Sequence, residues 1–431
     1  MIQLLKEFPG IIVFALLQFL AISLTGNGAL FIVPALAFWS YMTSGKLFYP
    51  FIALMILLPL ADSDFAFSTV AANTRPVLMV VLTLLVLFNN YIHPKKYWSL
   101  NAFIPYFLVV SYYLLDVSDF SQISRYISYM LVIAFTPVLI DHMIKYEKEA
   151  FLRGIVLIYT MVYILSFLNI ESDASLHEYG RFSGIFHNPN ALGIFSFLFF
   201  MLVQVVFYYQ PQLFSRGERY MVVFLILAGV IYSRSRSGMF AIALFWSSVY
   251  FYKRWGFSGI IFLILLGAIS SSVFSFENII RTLGLAEFFR LESLETGSGR
   301  LIAFKEAWGQ IKQNPVNGYG IGYTGQYFSE HSERLAREGH VGSVHNSFLW
   351  VWLDTGLFGL ISYIYAWGSW FFKTYKYSLL TVPIGIAVLF SANLENWLMG
   401  SLNHVTIQLI IILVLLSSPS FLNKNEEPLE E

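Results

Sequence analysis

Residues 339–359, GHVGSVHNSFLWVWLDTGLFG, organise this chain, because a long polar segment meets an apolar helix there. His345 and Asn346 stand at this junction, and Gly356 and Gly359 follow within the apolar part. A histidine at such a boundary has water on one side and a low-dielectric scaffold on the other. The junction therefore predicts a membrane helix whose first residues carry chemistry, with His345 at the centre.

The composition places the rest of the chain in a membrane. Of the 431 residues, 57% are hydrophobic and only 12% are charged, and the mean hydropathy is +0.66. A soluble protein of this size cannot bury that much apolar surface, whereas a bilayer can. The formal net charge of zero does not indicate a nucleic-acid or acidic partner. The absence of cysteine excludes disulfides, thiol chemistry and thiolate metal sites.

Successive apolar runs predict an all-α polytopic membrane protein with about 12–14 transmembrane helices. The first run is followed at once by others, so we expect a first span and not a signal peptide. The first three spans are short and closely joined, which leaves the count open. The predicted spans lie near 9–24, 28–43, 46–61, 76–91, 102–116, 122–140, 152–170, 190–209, 218–233, 238–252, 258–275, 346–372, 378–393 and 403–419.

Basic residues in the short loops predict an N-terminus on the inner side of the membrane and place residues 276–345 outside, as one large loop. The whole chain, 1–431, is expected to form a single transmembrane domain. Within that loop, apolar residues at helical spacing predict an amphipathic helix that lies on the membrane surface. The four apolar residues are Leu301, Phe304, Trp308 and Ile311. Pro315 is expected to end this helix, and Gly318 and Gly320 then predict a tight turn whose backbone comes close to another element.

Several arginines lie on the predicted outer side, next to the ends of predicted spans. A charge near the membrane is energetically unfavourable unless it is paired or has a function. A guanidinium binds phosphate oxygens bidentately, so these arginines are suited to a diphosphate. Arg300 opens the amphipathic helix, where free backbone N–H groups also favour anions. The set comprises Arg181 before the Asn188-Pro-Asn190 helix start, Arg234 and Arg236 in Ser-Arg-Ser-Arg-Ser-Gly at 233–238, and Arg300.

Each feature alone has a simpler interpretation. Arg181 fits a surface arginine beside a capped helix, Arg234 and Arg236 fit an outer anchor or a loop assigned to the wrong side, and a lone histidine at a helix start is usually structural. Their joint placement on one side favours function. Arginines neutralise a leaving diphosphate, and a neutral histidine accepts a proton from an attacking hydroxyl. No His/Asp/Glu cluster has metal-ligand spacing, so we expect neither metal nor cofactor.

Two further residues in the apolar helix have expected structural roles. Asp354 lies nine residues after His345, about 180° around a helix, so it is not expected to orient that histidine. Gly356 and Gly359 are expected to permit close helix packing.

At these residues the chain resembles the O-antigen ligase family and its relatives, the O-antigen and exopolysaccharide polymerases. The signature is His345 followed by Asn346, nine residues, Gly356, two residues and Gly359. Similar stretches are Ser-Arg-Ser-Gly at 235–238, the turn at 315–322 and residues 182–193. One departure is Phe304, where the ligases tend to carry leucine four residues after the loop arginine.

The resemblance implies a multi-pass glycosyltransferase of the bacterial inner membrane, acting in lipopolysaccharide biosynthesis with its active site and large loop on the periplasmic side. It implies a metal-independent transfer of a glycan from undecaprenyl diphosphate. The acceptor would be lipid A core for a ligase, or a second lipid-linked glycan for a polymerase, and the sequence leaves both open. Acceptor contacts are expected from residues 323–341 and from Asp62, Asp64, Glu395 and Asn396.

The same resemblance implies residue roles. His345 matches the proposed general base, and the arginines match those proposed to hold the diphosphate. The expected set is His345 and Arg300 as catalytic residues, Arg181, Arg234 and Arg236 as diphosphate ligands, and Asn346, Asn188, Asn190, Gly318 and Gly320 as supporting residues. Two other hypotheses are a lipid-linked glycan transporter and a non-catalytic scaffold. The near absence of charge inside the predicted spans argues against the transporter.

Overall fold

The computed structural model describes residues 9–88, 98–115, 120–168, 176–177, 180–273, 281–282, 284, 286–288, 299–400 and 402–422. Seven helices in these ranges are long and apolar enough to cross a membrane, and four shorter apolar helices accompany them. The chain is therefore an all-α polytopic membrane protein, as the sequence predicts. The count of about 12–14 spans stays a prediction.

Helices account for most of the described chain, with one short hairpin between them. The elements are α1 (Pro9–Thr25), α2 (Ala29–Ser44), α3 (Phe48–Ala61), α4 (Ser68–Phe88), α5 (Trp98–Leu114), α6 (Phe120–Tyr146), α7 (Lys148–Leu168), β1 (Leu176–His177), β2 (Arg181–Phe182), α8 (Pro189–Tyr209), α9 (Arg216–Tyr232), α10 (Arg236–Val273), α11 (Arg300–Gln313), α12 (Tyr323–Glu330), α13 (Ser332–Arg337), α14 (Ser347–Tyr375), α15 (Thr381–Leu394), α16 (His404–Ser417) and α17 (Pro419–Leu422). Each predicted span overlaps one of these helices. The predicted spans 238–252 and 258–275 both fall in α10, which bends at Gly256 (φ 58°, ψ −139°).

The chain divides into two compact units. The first unit comprises residues 1–101, 124–238 and 401–431. At its centre, α8 packs against α9 and α16, and α16 is buried over almost its whole length. Aromatic rings of α7 and α8 interlock there, and the Tyr163 hydroxyl donates to Ser196 Oγ (2.9 Å). The predicted single-domain organisation stays a prediction.

Two glycines allow the start of α10 to approach α8 closely in the first unit. A Cβ on Gly193 would lie 2.1 Å from Ser235 Oγ, and a Cβ on Gly238 would lie 2.7 Å from the Gly193 carbonyl oxygen. Any larger residue at either position would push the two segments apart. The 182–193 and 235–238 stretches singled out from the sequence therefore contact each other here.

The second unit comprises residues 102–123 and 239–400, and α14 organises it by packing against α11, α12 and α15. A cluster of buried side chains joins the described part of the large loop to α14. Its members are Ala303, Ala307, Ile311, Phe328, Leu335, Val344 and Leu353. The loop from 299 to 345 is thus a packed structure with its own apolar centre.

The face of α11 that packs against the rest of the chain differs from the apolar face singled out in the sequence. Ala303, Ala307 and Ile311 form the buried face, whereas Leu301 and Trp308 are exposed. Residues spaced by four lie on one side of a helix, and small alanines there allow the helix to approach its neighbours closely. The bulky residues are left on the outside. The prediction that α11 lies on the membrane surface is not tested by this packing and stays a prediction.

The backbone of α14 is interrupted at Gly356 (φ 66°, ψ −170°), a conformation that is almost restricted to glycine. The Leu357 N–H would donate to Leu353 in an unbroken helix, but it donates to the Pro315 carbonyl (3.1 Å). The Leu353 carbonyl accepts instead from the N–H of Tyr319 (2.8 Å). The turn after α11 therefore replaces the hydrogen bonds that the helix loses.

At this interruption the backbone of α14 contacts the backbone of the turn after α11, and only glycine fits at the contact positions. A Cβ on Gly356 would lie 2.0 Å from the Val316 carbonyl oxygen, and a Cβ on Gly318 would lie 2.5 Å from the Gly356 nitrogen. The Gly320 N–H donates to the Asp354 carbonyl (2.9 Å). The tight turn predicted at Gly318 and Gly320 is therefore present. Gly356 was expected to serve helix packing, but the structure shows that it accommodates this turn.

Asp354 is fully buried and connects α14 to the start of α12. Its carboxylate accepts hydrogen bonds from the N–H groups of Gly322 (3.1 Å) and Thr324 (2.8 Å). It also accepts from the Thr324 hydroxyl (2.6 Å) and the Trp350 indole (3.1 Å). None of these four donors belongs to His345, as the helical spacing predicts.

Candidate active site

His345 immediately precedes α14, and Asn346 fixes that helix start. The Asn346 side-chain oxygen accepts from the N–H groups of Phe348 and Leu349 (both 2.9 Å), and its amide donates to the Asn393 carbonyl (3.0 Å). These bonds satisfy backbone donors that a helix N-terminus otherwise leaves unpaired. Asn346 therefore caps α14, and its supporting role at the site stays a prediction.

Two non-glycine residues in the described ranges have positive φ, and both were singled out from the sequence. They are Arg234 and His345, each with φ 47°. Left-handed backbone is uncommon for such residues and costs about 1–3 kcal/mol when the surroundings impose it. Backbone strain of this kind is common at functional sites, so it favours a functional role for both residues.

Glu395 is the residue that the sequence did not connect to His345. One carboxylate oxygen forms an ion pair with the Arg300 guanidinium, and the other lies 3.4 Å from His345 Nδ1. The Glu395 side chain is only 5% exposed. A buried carboxylate is stable only with charged or hydrogen-bonding partners. Glu395 therefore brings the two predicted catalytic residues, His345 and Arg300, to one carboxylate.

Hydrogen bonds around Glu395 connect the loop before α14 to the segment after α15. Ser347 Oγ donates to the Glu395 carbonyl (2.9 Å), and the Asn396 amide donates to Ser343 Oγ (2.7 Å). The backbone on both sides of His345 is thereby attached to residues 395–396. One signal in the sequence points to this segment, since Glu395 is an isolated acid just after a predicted span.

The position of Glu395 bears on which nitrogen of His345 carries the proton. A carboxylate accepts hydrogen bonds, so it favours a proton on Nδ1 and leaves Nε2 able to take another. The Nε2 atom lies 3.4 Å from the Val341 carbonyl oxygen, the same distance as Nδ1 from Glu395, and the charged carboxylate is the stronger acceptor of the two. A partly exposed imidazole with a buried carboxylate behind it is the arrangement of a general base and its orienting group.

A second histidine, His340, lies behind His345. It is almost fully buried, and the two rings meet edge to face with centroids 5.7 Å apart. Burial, and then the nearby His345, lower the pKa of His340, so its neutral form is favoured. A Cβ on Gly299 would lie 2.8 Å from the His340 Cα atom. The first residue of α11, Arg300, is therefore positioned against the His340 loop.

The first unit contains the other predicted arginines. Arg181 donates through Nε to the Ser233 carbonyl (3.2 Å) and through Nη2 to the Asn190 side-chain oxygen (2.7 Å). Arg234 follows Ser233, and Arg236 begins α10. The structure thus brings Arg181 and Asn190 to the loop that carries Arg234 and Arg236. Both partners of Arg181 in these two bonds are neutral.

The start of α8 in the first unit also follows a histidine and an asparagine. The Asn188 side-chain oxygen accepts from the Ala191 N–H (2.9 Å), so Asn188 caps α8 as Asn346 caps α14. The preceding His187 contacts the Asp64 carboxylate through Nδ1. Asp64 was expected to contribute to acceptor binding, and that expectation stays a prediction.

Asp62, in the first unit, is a carboxylate that lies beside an arginine and a histidine. Its oxygens lie 3.0 Å from His404 Nδ1 and 3.5 Å from an Arg75 nitrogen. Burial raises the pKa of Asp62, but the His404 and Arg75 contacts outweigh it, and the net pKa lies below the ordinary value. Asp62 is therefore held as a carboxylate at the end of α3.

Comparison with known families identifies part of the chain. The O-antigen ligase family model matches residues 221–364. This stretch carries an O-antigen ligase domain. The match confirms the resemblance at the family level, which is that of glycan-transferring ligases. No curated protein matches the chain significantly.

The O-antigen ligase match covers part of the candidate site. One arginine and one carboxylate of the site lie outside the matched residues. Arg234, Arg236, Arg300 and His345 lie within the matched residues. Arg181 and Glu395 lie before and after the matched residues, so the family match does not bear on them. Among the described residues, no group of three or more His, Asp or Glu side chains is placed to hold a metal ion. Metal independence and a common site for all the predicted residues stay predictions.

Proposed function

We propose that this protein transfers a glycan from undecaprenyl diphosphate to an acceptor hydroxyl at the periplasmic face of the inner membrane, as an O-antigen ligase with lipid A core as acceptor. The observation that carries the proposal is the buried Glu395 carboxylate, which contacts both His345 and Arg300. The family match over residues 221–364 supports the class of reaction. The donor, the acceptor and the side of the membrane belong to the proposal.

The proposed chemistry uses His345 as a general base. Its Nε2 atom takes the proton of the acceptor hydroxyl, and the hydroxyl oxygen forms a bond to the anomeric carbon of the donor glycan. The bond between that carbon and the diphosphate oxygen breaks, and undecaprenyl diphosphate leaves with the electron pair. Glu395 stabilises the imidazolium that forms, because opposite charges attract strongly where water is largely excluded.

The arginines are proposed to stabilise the negative charge of the leaving group. A guanidinium has five N–H donors, and the Glu395 ion pair engages one terminal nitrogen of Arg300. Arg181, Arg234 and Arg236 are the proposed diphosphate ligands of the first unit. Preorganised positive groups of this kind lower a barrier in which negative charge develops, without a metal ion.

A reconstitution experiment tests this function. Purified protein in lipid vesicles is given a labelled undecaprenyl diphosphate glycan, with either lipid A core or a second lipid-linked glycan as acceptor. We expect labelled lipid A core product that persists in the presence of a chelator. Product only with the second lipid-linked glycan would replace the ligase by a polymerase. The absence of any product would contradict the enzyme and favour a transporter or scaffold.

The His345→Ala variant tests the base in the same assay. Loss of general-base catalysis typically costs about 10²–10⁴-fold in rate. His187→Ala is the matched control, because His187 also precedes a capping asparagine and also contacts a carboxylate. We expect the control to retain most of its activity. Full activity in His345→Ala, with both variants folded by size-exclusion chromatography, would remove His345 from the mechanism.

A further inference from the structure

The exposed side of α11, in the second unit, carries a stripe of apolar and cationic side chains. This α11 stripe consists of Leu301, Lys305, Trp308 and Lys312, whose spacing places them on one face of the helix. Leu301 is 62% exposed and Trp308 is 44% exposed, and both lysines are exposed as well. Neither lysine forms a salt bridge with another described residue. The stripe is therefore open to a partner that offers apolar contact and negative charge together.

The remaining faces of α11 are occupied by other parts of the chain. Its alanine face is buried in the apolar cluster that reaches α14. On the flank away from the stripe, Glu306 accepts hydrogen bonds from the Tyr327 hydroxyl of α12 and from Arg334 of α13. Glu306 is the one acidic residue in the sequence of α11, and Arg334 pairs with it. The charge that the stripe presents is therefore positive.

Trp308 of the stripe contacts a helix that is long and apolar enough to cross the membrane, α14. Its ring meets the ring of Trp352 edge to face, with the centroids 5.5 Å apart. The Trp352 indole also donates to the carbonyl of Pro315, in the turn that follows α11 (2.9 Å). Trp352 is in the second turn of α14. Trp308 therefore lies at the same depth in the membrane as that second turn.

The length of α14 places this second turn at the membrane surface. The helix has 29 residues and is about 43 Å long, whereas the hydrocarbon core of a bilayer is about 30 Å thick and needs about 20 residues. Lys373 lies in the last turn, where a basic residue is expected at the opposite surface. About 20 residues counted back from Lys373 reach Asp354. Trp352 and Trp308 therefore lie just outside the hydrocarbon core, where tryptophan is enriched.

We propose that the α11 stripe binds the headgroups of anionic phospholipids at this membrane surface. Leu301 and Trp308 enter the interfacial region, and the ammonium groups of Lys305 and Lys312 contact lipid phosphates. Helices with apolar and basic residues on their membrane side bind in this way, and each lysine near an anionic surface adds affinity. A zwitterionic surface offers the same apolar contact but no net negative charge for the lysines. Arg300 begins the same helix, so the contact also fixes the height of Arg300 relative to the membrane.

The chain has no cysteine, so a single introduced cysteine can carry a fluorescent label that reports on this contact. Leu301→Cys places the label in the stripe. Glu333→Cys is the matched control, because Glu333 is exposed on α13, the helix that contacts the Glu306 flank. Each full-length variant is reconstituted in phosphatidylcholine vesicles that contain phosphatidylglycerol with a nitroxide near its headgroup. We expect this nitroxide to quench the label at residue 301 strongly and the label at residue 333 weakly.

The choice of lipid tests the role of the two lysines, and the measurement does not depend on glycan transfer. Compared with nitroxide-labelled phosphatidylcholine, labelled phosphatidylglycerol should be enriched about fivefold around residue 301, the factor that one lysine near an anionic surface supplies. Lys305→Gln with Lys312→Gln should abolish this enrichment, whereas Arg337→Gln, which removes an exposed cation of α13, should preserve it.

Three results would overturn the proposal. The first is equal quenching by the two lipids, or an enrichment that survives the loss of both lysines. The second is a label at residue 301 that aqueous iodide quenches as readily as the label at residue 333, because the stripe would then lie in water. The third is a label shielded from iodide and from both lipids, which would indicate that a second copy of the chain covers the stripe.

Discussion

The protein contains two helix starts of the same local design, one in each unit. His187 and Asn188 precede α8, and His345 and Asn346 precede α14. Each asparagine caps its helix through its side-chain oxygen, and each histidine presents Nδ1 to a carboxylate from a distant part of the chain. Local sequence alone therefore does not distinguish them.

The two sites differ in burial and in the partners of the carboxylate. Glu395 is 5% exposed and His345 is 25% exposed, whereas Asp64 is 32% exposed and His187 is 54% exposed. Glu395 also holds Arg300. Electrostatic interactions are stronger where water is excluded, so the same His–carboxylate contact orients and stabilises the ring far more at His345. The environment of the carboxylate, and not the local sequence, therefore distinguishes His345 as the candidate general base from His187.

The largest expected difference between the two sites comes from neutralising each carboxylate. Glu395→Gln keeps the shape of the side chain but removes the charge that stabilises the imidazolium and holds Arg300. We expect transfer to fall roughly a hundredfold or more. Asp64→Asn removes an exposed pair worth about 1 kcal/mol at most, so even with the loss of its expected acceptor contact it should cost far less than Glu395→Gln. Similar losses in the two variants, measured as initial rates of transfer, would erase the distinction.

The fold was largely predictable because long apolar runs have few alternatives to membrane helices. Local signals also identified the helix start at His345 and Asn346, although not the cap that Asn346 provides. The Glu395 contact was not predictable, because 50 residues separate it from His345 and no periodicity relates them. The role of Gly356 was missed for a similar reason. The interruption of α14 is stabilised by a turn that lies about 40 residues earlier, so its partners depend on tertiary structure.

The arginines of the two units also differ in their partners. Arg300 contacts a carboxylate, whereas Arg181 donates to the neutral Asn190 amide and Ser233 carbonyl. Asn190→Asp would place a negative charge beside Arg181 and weaken its attraction for a diphosphate. We expect the KM for the donor to rise about tenfold, which corresponds to about 1.4 kcal/mol. Asn190→Ala, which removes the amide without adding charge, should raise it less, and equal effects would contradict an electrostatic role for Arg181.

The smallest expected effect concerns stability and pH around His340. Burial and the nearby His345 lower its pKa in the folded protein, whereas the unfolded chain titrates near the ordinary value of about 6.5. Between these two values the unfolded state binds more protons, so stability rises with pH and falls on acidification below about 6.5. Melting temperatures from pH 5 to 7.5 should show this slope in wild type and a shallower slope in His340→Phe. A slope unchanged by the substitution would assign the acid sensitivity to other groups.

The central claim is that His345 and Glu395 act as one unit, and a double-mutant cycle measures this directly. Transfer rates are compared for wild type, His345→Ala, Glu395→Gln and the double variant, all reconstituted in the same vesicles. Without the imidazole, Glu395 keeps only its contact with Arg300, so we predict that Glu395→Gln slows the His345→Ala variant much less than it slows the wild type. A double variant whose loss equals the product of the two single losses would show independent residues and contradict the account.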